Sequence, residues 1–150
     1  MASRQGRTTL GVLLRIGACW FALLSVACGS RLPAPMPANA IVGAPSALPT
    51  PKVEENDARP KILGIRFSSL DVRRGEHWSG WFVTGTNVAS VEVRTSLFSI
   101  NVPHVGPGRF QFTLDVLDTP PIFVRSYRLR VIARNSPGVE YEEDLPFRIR

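Results

Sequence analysis

Between residues 109 and 116 every second side chain is apolar: Phe110, Phe112, Leu114 and Val116 alternate with Arg109, Gln111, Thr113 and Asp115. A strand sends successive side chains to opposite faces, whereas a helix repeats every 3.6 residues. This stretch can therefore bury its apolar set only as a β-strand. The same period recurs in 127–134, with Tyr127, Leu129, Val131 and Ala133 on one face and Arg128, Arg130 and Arg134 on the other. It recurs again in 139–149 through Tyr141, Leu145, Phe147 and Ile149. Gly, Pro, Asn and Asp punctuate the runs, as in Arg74-Gly75-Glu76 and Gly85-Thr86-Asn87. Strands are predicted over 62–68, 78–84, 89–95, 97–102, 109–117, 127–134 and 139–149, and no helical period of useful length competes with them. Seven short strands in one small domain, residues 61–150, predict an all-β, antiparallel two-sheet sandwich, monomeric and without disulfides.

Three segments carry a family resemblance. Val88-Ala89-Ser90-Val91-Glu92-Val93-Arg94 is one. Gly108-Arg109-Phe110-Gln111-Phe112-Thr113-Leu114-Asp115 is the second. The third places Tyr127, Leu129, Val131, Ala133 and Asn135 at every second position, with Gly138 following. Together they resemble the later strands of bacterial immunoglobulin-like (Big-type) domains, which implies an Ig-like sandwich over roughly residues 62–150. The disulfide and the strand-C Trp of antibody domains are missing. Tyr127 stands where a tyrosine corner would lie, which would place a backbone acceptor for its hydroxyl near residues 118–121.

The N-terminus sets the expected compartment. Arg4, Arg7 and Arg15 precede an uncharged, mostly apolar run over 16–27, and Cys28 follows. This is the layout of a secretory signal, here 1–27. Twelve residues of helix rise about 18 Å, short of a bilayer core of roughly 30 Å. Extending the helix back to Thr8 would bury Arg15, which is costly. Leu23-Leu24-Ser25-Val26-Ala27-Cys28 resembles the lipobox of bacterial lipoproteins, with Ser25 where Leu is usual. The resemblance implies a diacylglyceryl thioether on Cys28 and a membrane as partner. Each buried CH₂ contributes about 0.8 kcal/mol, so two or more chains anchor stably. The expected location is extracytoplasmic and lipid-anchored in the cell envelope. The alternatives are secretion or an uncleaved N-terminal anchor. Cys19 would leave with the signal, so the mature fold would hold no thiolate metal site.

Residues 28–60 read as a tether. Seven of the 13 prolines fall in 29–60. Proline fixes φ and removes a donor, so neither helix nor inner strand can form there. An extended or disordered spacer is expected, with a reach on the order of 100 Å at most.

The formal charge of +6 includes three arginines of the signal. Fifteen basic residues against twelve acids remain, a mild excess that does not point to nucleic acid. His77 and His104 are expected in loops or at strand starts. No Ser-His-Asp set, Gly-x-Ser-x-Gly, His-Glu-x-x-His or phosphate loop is present. The expectation is a non-enzyme with no cofactor and no metal. Glu140, Glu142, Glu143 and Asp144 lack the spacing that encloses Ca²⁺. They are expected to pair with Arg128, Arg130 or Arg134 on a neighbouring strand. Glu143 interrupts the inward set, which predicts a bulge or an edge.

The candidate binding surface combines Trp81 with Arg94, Arg128 and Arg130, because Trp and Arg are enriched at binding hot spots. Trp78 and Trp81 fall on opposite faces of one strand, so one is core. The other reading packs Trp81 under the tether or against Ile132. The expected function is an Ig-like module that binds a protein or polysaccharide of the envelope. The alternative is a purely structural accessory subunit of an envelope or secretion assembly.

Overall fold

The computed structural model describes residues 34–43, 47–117 and 120–150. The signal 1–27 and Cys28 lie outside them. Ten strands form: β1 (Ala40–Val42), β2 (Ile62–Phe67), β3 (Asp71–Val72), β4 (His77–Thr84), β5 (Val88–Arg94), β6 (Ser99–Val102), β7 (His104–Gly106), β8 (Arg109–Asp115), β9 (Ser126–Asn135) and β10 (Glu140–Ile149). A single 3₁₀ turn, Pro121–Phe123, is the helical element among the described residues.

Sheet one runs β1-β2-β4-β8-β7 and sheet two runs β3-β10-β9-β5-β6. The seven strands expected from alternation are all present, with ends shifted by no more than two residues. Their arrangement is that of an Ig-like sandwich: the first, second and fifth body strands share one sheet, and the third, fourth, sixth and seventh share the other. Three short strands were not foreseen. β1 and β3 pair in parallel with β2 and β10, and β7 pairs with β8. Three, two and three residues respectively are too few to show a period.

The core lies between the sheets and is centred on aromatic rings. Phe67 stacks on Trp78 at 5.4 Å, and Phe112 and Phe147 approach Trp78 at 4.9 and 5.0 Å. The Trp78 indole nitrogen donates to the Ser69 carbonyl at 2.8 Å, so its polar atom costs nothing when the ring is buried. Gly80 makes this packing possible, since a Cβ there would come within 2.5 Å of the Phe112 ring. Phe110, Phe112, Leu129, Val131, Ala133, Leu145, Phe147 and Ile149, all expected inside, belong to the buried cluster.

The tether is extended, as its prolines dictate, but it is not free where it is described. β1 lies against Ile65, Arg66 and Phe67. Leu48 and Pro49 fill the space in front of Gly64, where a Cβ would sit 2.7 Å from Pro49. The Lys52 carbonyl accepts from the Thr86 amide at 2.8 Å. Val83, opposite Gly64 in the register, is buried although it lies outside the core cluster. A spacer was expected; a strap over the outer face of sheet one is found. Pro removes donors, but carbonyls and neighbouring side chains remain able to pair.

Glu143 does not bulge the strand, since β10 and β9 pair without a register shift from Glu140 to Arg148. β10 meets β3 only at Arg148 and Ile149, so its first half is an edge, as the alternative reading held. The Glu143 carboxylate accepts from Asn39 Nδ2 and the Tyr141 hydroxyl, both at 3.0 Å. The strap thus supplies the partner that an inward-facing acid needs.

Candidate functional site

The outward residues of sheet two form one charged face. The register sets Arg94 beside Arg130, Arg130 beside Asp144, Ile132 between Glu92 and Glu142, and Arg134 beside Glu140. Arg134 bonds Glu140 at 2.6 Å and Glu92 at 2.7 Å. Arg130 reaches Glu142 and Asp144, each at 3.1 Å, and Arg128 reaches Asp144 at 3.3 Å. Glu140, Glu142 and Asp144 therefore pair with Arg128, Arg130 and Arg134 across the strands, as expected, whereas Glu143 faces inward to Asn39 and Tyr141 instead. Ile132 sits buried among these side chains, whose stems can shelter apolar surface while their heads stay wet.

Glu92 is the centre of the network and is 5 % exposed. Burial alone would raise its carboxyl. Hydrogen bonds from Ser99, Arg134 and Arg94, at 2.5, 2.7 and 2.7 Å, outweigh it and hold the group at about 2, below an ordinary 4.5. Arg134 is correspondingly held above its ordinary value, first by the Glu140 hydrogen bond and then by Glu92.

Towards the 3₁₀ turn, carboxylates become sparse among the described residues. An open groove of about 1000 Å³ is lined there by Arg94, Arg125, Arg128, Arg130 and Arg148, with Asp71 as the acid on its lining. Asp71 is held by Arg150 at 2.5 Å. Among the described residues, neither Arg125 nor Arg148 has a carboxylate within ion-pair distance. Arg125 donates to the Tyr127 hydroxyl at 3.1 Å. That hydroxyl donates to the Phe123 carbonyl at 2.7 Å, which closes a tyrosine corner slightly downstream of the expected 118–121.

The structure brings Arg94, Arg128 and Arg130 together but separates Trp81 from them. Trp81 is on the outer face of sheet one, where the Arg66 guanidinium lies 4.2 Å over its ring. The shared face predicted for the four residues does not exist. Packing against Ile132 is excluded for the same reason, since Ile132 faces out from the other sheet. Arg125 and Arg148 were missed. Arg148 could have been found, because it is the outward residue between Phe147 and Ile149. Arg125 lies before its strand, where no alternation places it.

His77 and His104 are exposed. His77 contacts Asp115, and His104 stacks on Phe110 at 4.6 Å. Among the described residues no helix is long and apolar enough to cross a membrane.

No family model matches the chain, and no curated protein matches it. A solved structure of a Niemann-Pick type C2 protein from Japanese carpenter ant is similar over 62% of this chain and 94% of its own, with 17% identity and a TM-score of 0.41.

Proposed function

We propose that this chain is a non-catalytic, extracytoplasmic binding module, anchored through a lipid on Cys28, that takes an anionic component of the cell envelope in the arginine groove. The observation that supports it is the convergence of Arg94, Arg125, Arg128, Arg130 and Arg148 on one open groove. Arginine's planar fork suits carboxylate and phosphate, and Arg125 and Arg148, without a carboxylate partner among the described residues, can bind an anion without first breaking an ion pair there. The charged network behind them is already satisfied and serves as a rigid floor.

The test is titration of the protein with glycerol 3-phosphate and galacturonate, with glycerol and galactose as uncharged controls. Both anions should bind and weaken as salt rises. The double variant Arg125→Gln/Arg148→Gln should abolish binding without lowering the melting temperature. Equal binding of charged and uncharged compounds, or an unaffected double variant, refutes the groove.

A further inference from the structure

Behind the same end of sheet two, an apolar cavity of about 410 Å³ opens between the sheets. Trp78, Phe98, Ile100, Leu114, Phe147 and Ile149 are among its walls. Among the described residues Asp115 is its single charged lining residue, and it is engaged by His77. Its size falls in the usual range for small-molecule sites, about 300–1,000 Å³. A polar guest would lose its hydrogen bonds to water there and find few in return. Hydrocarbon would not.

The cavity and the arginine groove share one rim. Ser96 lines the groove and Leu97 the cavity. Arg125 lines the groove and Phe123 the cavity. Arg148 faces the groove while its neighbour Ile149 faces the cavity, and Phe147 borders both. Strand alternation produces the division at Arg148 and Ile149 of β10, because consecutive side chains point to opposite faces; Ser96 and Leu97 belong to the β5–β6 turn, and Phe123 and Arg125 to the segment before β9. Leu117, on the cavity lining, is 79 % exposed and marks the mouth.

We infer that the ligand is a single-chain anionic amphiphile: its hydrocarbon chain enters the cavity between the sheets, and its carboxylate or phosphate head crosses the rim to Arg125 and Arg148. The headgroup half rests on the anion-binding reading of the groove. The chain half rests on the cavity alone.

The test uses the full chain in phosphatidylcholine vesicles with two probes, dodecanoic acid and dodecanol, each carrying a diazirine at the far end of the chain. After irradiation, labelled peptides are mapped by mass spectrometry. The acid should label peptides containing Trp78, residues 97–100 and residues 114–116. Ile100→Lys, which puts a charge in the cavity wall, should cut that label at least tenfold. Leu97→Lys, at the turn, provides the same test should Ile100→Lys fail to fold. Arg125→Gln/Arg148→Gln should reduce labelling by the acid several-fold and leave labelling by the alcohol unchanged. Wild-type label absent from the cavity strands, or confined to residues 120–124 as bilayer contact would give, overturns the proposal. Equal cavity labelling by acid and alcohol, indifferent to the arginine variant, refutes the headgroup placement and the groove reading together while the chain site stands.

Discussion

Asn135, at the end of β9, donates its side-chain amide to the carbonyl oxygen of Ala58, 3.0 Å away and 77 residues earlier in the chain. Asn87 donates to the same oxygen at 2.7 Å. The Asn135 side-chain oxygen in turn accepts from the Val139 amide at 2.8 Å and closes the β9–β10 turn. One buried side chain therefore ties the strap to sheet two and shapes a hairpin.

Asn135→Ala should cost about 1–3 kcal/mol, because it removes the hydrogen bonds to the Ala58 carbonyl and from the Val139 amide. Hydrogen exchange should speed up in residues 52–60 and at Val139 more than in β4 or β8. Uniform exchange, with no local loosening of the strap, would show that Asn135 acts only within its own turn.

Phe112 packs against Phe67, Trp78 and Phe82. Phe112→Ala should cost about 3–5 kcal/mol, the usual cost of emptying an aromatic site in a core. Denaturant unfolding of the full chain measures it. A cost near zero is incompatible with this packing.

The Glu92 carboxyl is held at about 2 in the folded chain against 4.5 when free. A lowered folded value means that the stabilisation is fully present above about 4.5 and is lost as pH falls towards 2. The contribution is on the order of 2 kcal/mol, reduced by solvent around the exposed Arg94 head. Glu92→Gln should therefore melt well below wild type at pH 7, and the gap should narrow steadily between pH 4.5 and pH 2. A gap independent of pH would assign the loss to shape and not to charge.

Trp81 is half-buried beneath Arg66 and remote from the arginine groove. Trp81→Ala should lower stability by about 1–2 kcal/mol, from lost apolar burial and the cation–π contact. Binding of glycerol 3-phosphate in the groove should be unchanged. Impaired anion binding at full stability would restore Trp81 to the binding surface.

Cys28→Ser removes the thiol on which the proposed thioether depends. It should abolish incorporation of radiolabelled palmitate and leave the protein either released or uncleaved. Wild-type chain that takes up no label would end the lipid-anchor reading.

Strand alternation separated the two faces of each strand, and where one face is wholly apolar it marked the buried one. Phe110 and Phe112, or Leu129 and Val131, face the core because a strand's two-residue period is set by its own covalent geometry. The cross-strand pairing of Glu140, Glu142 and Asp144 with Arg128, Arg130 and Arg134 was legible for a related reason, since neighbouring strands of opposite charge meet on the solvent face. Alternation separates in from out but says nothing of which sheet's outside a residue joins. Trp81 and Arg94 are both outward, and only the assignment of β4 to one sheet and β5 to the other sets them on opposite sides of the molecule. The strap was hidden likewise. Its proline content excludes helix and inner strand, but its docking depends on the Ala58 carbonyl meeting Asn87 and Asn135 and on Pro49 meeting a residue without a side chain at Gly64. Those pairings join segments far apart in the chain, and no local period encodes them. The arginine groove and the apolar cavity share the same origin: strands supply some of their residues by alternation and turns supply the rest, and the stacking of two sheets decides that they meet at one rim.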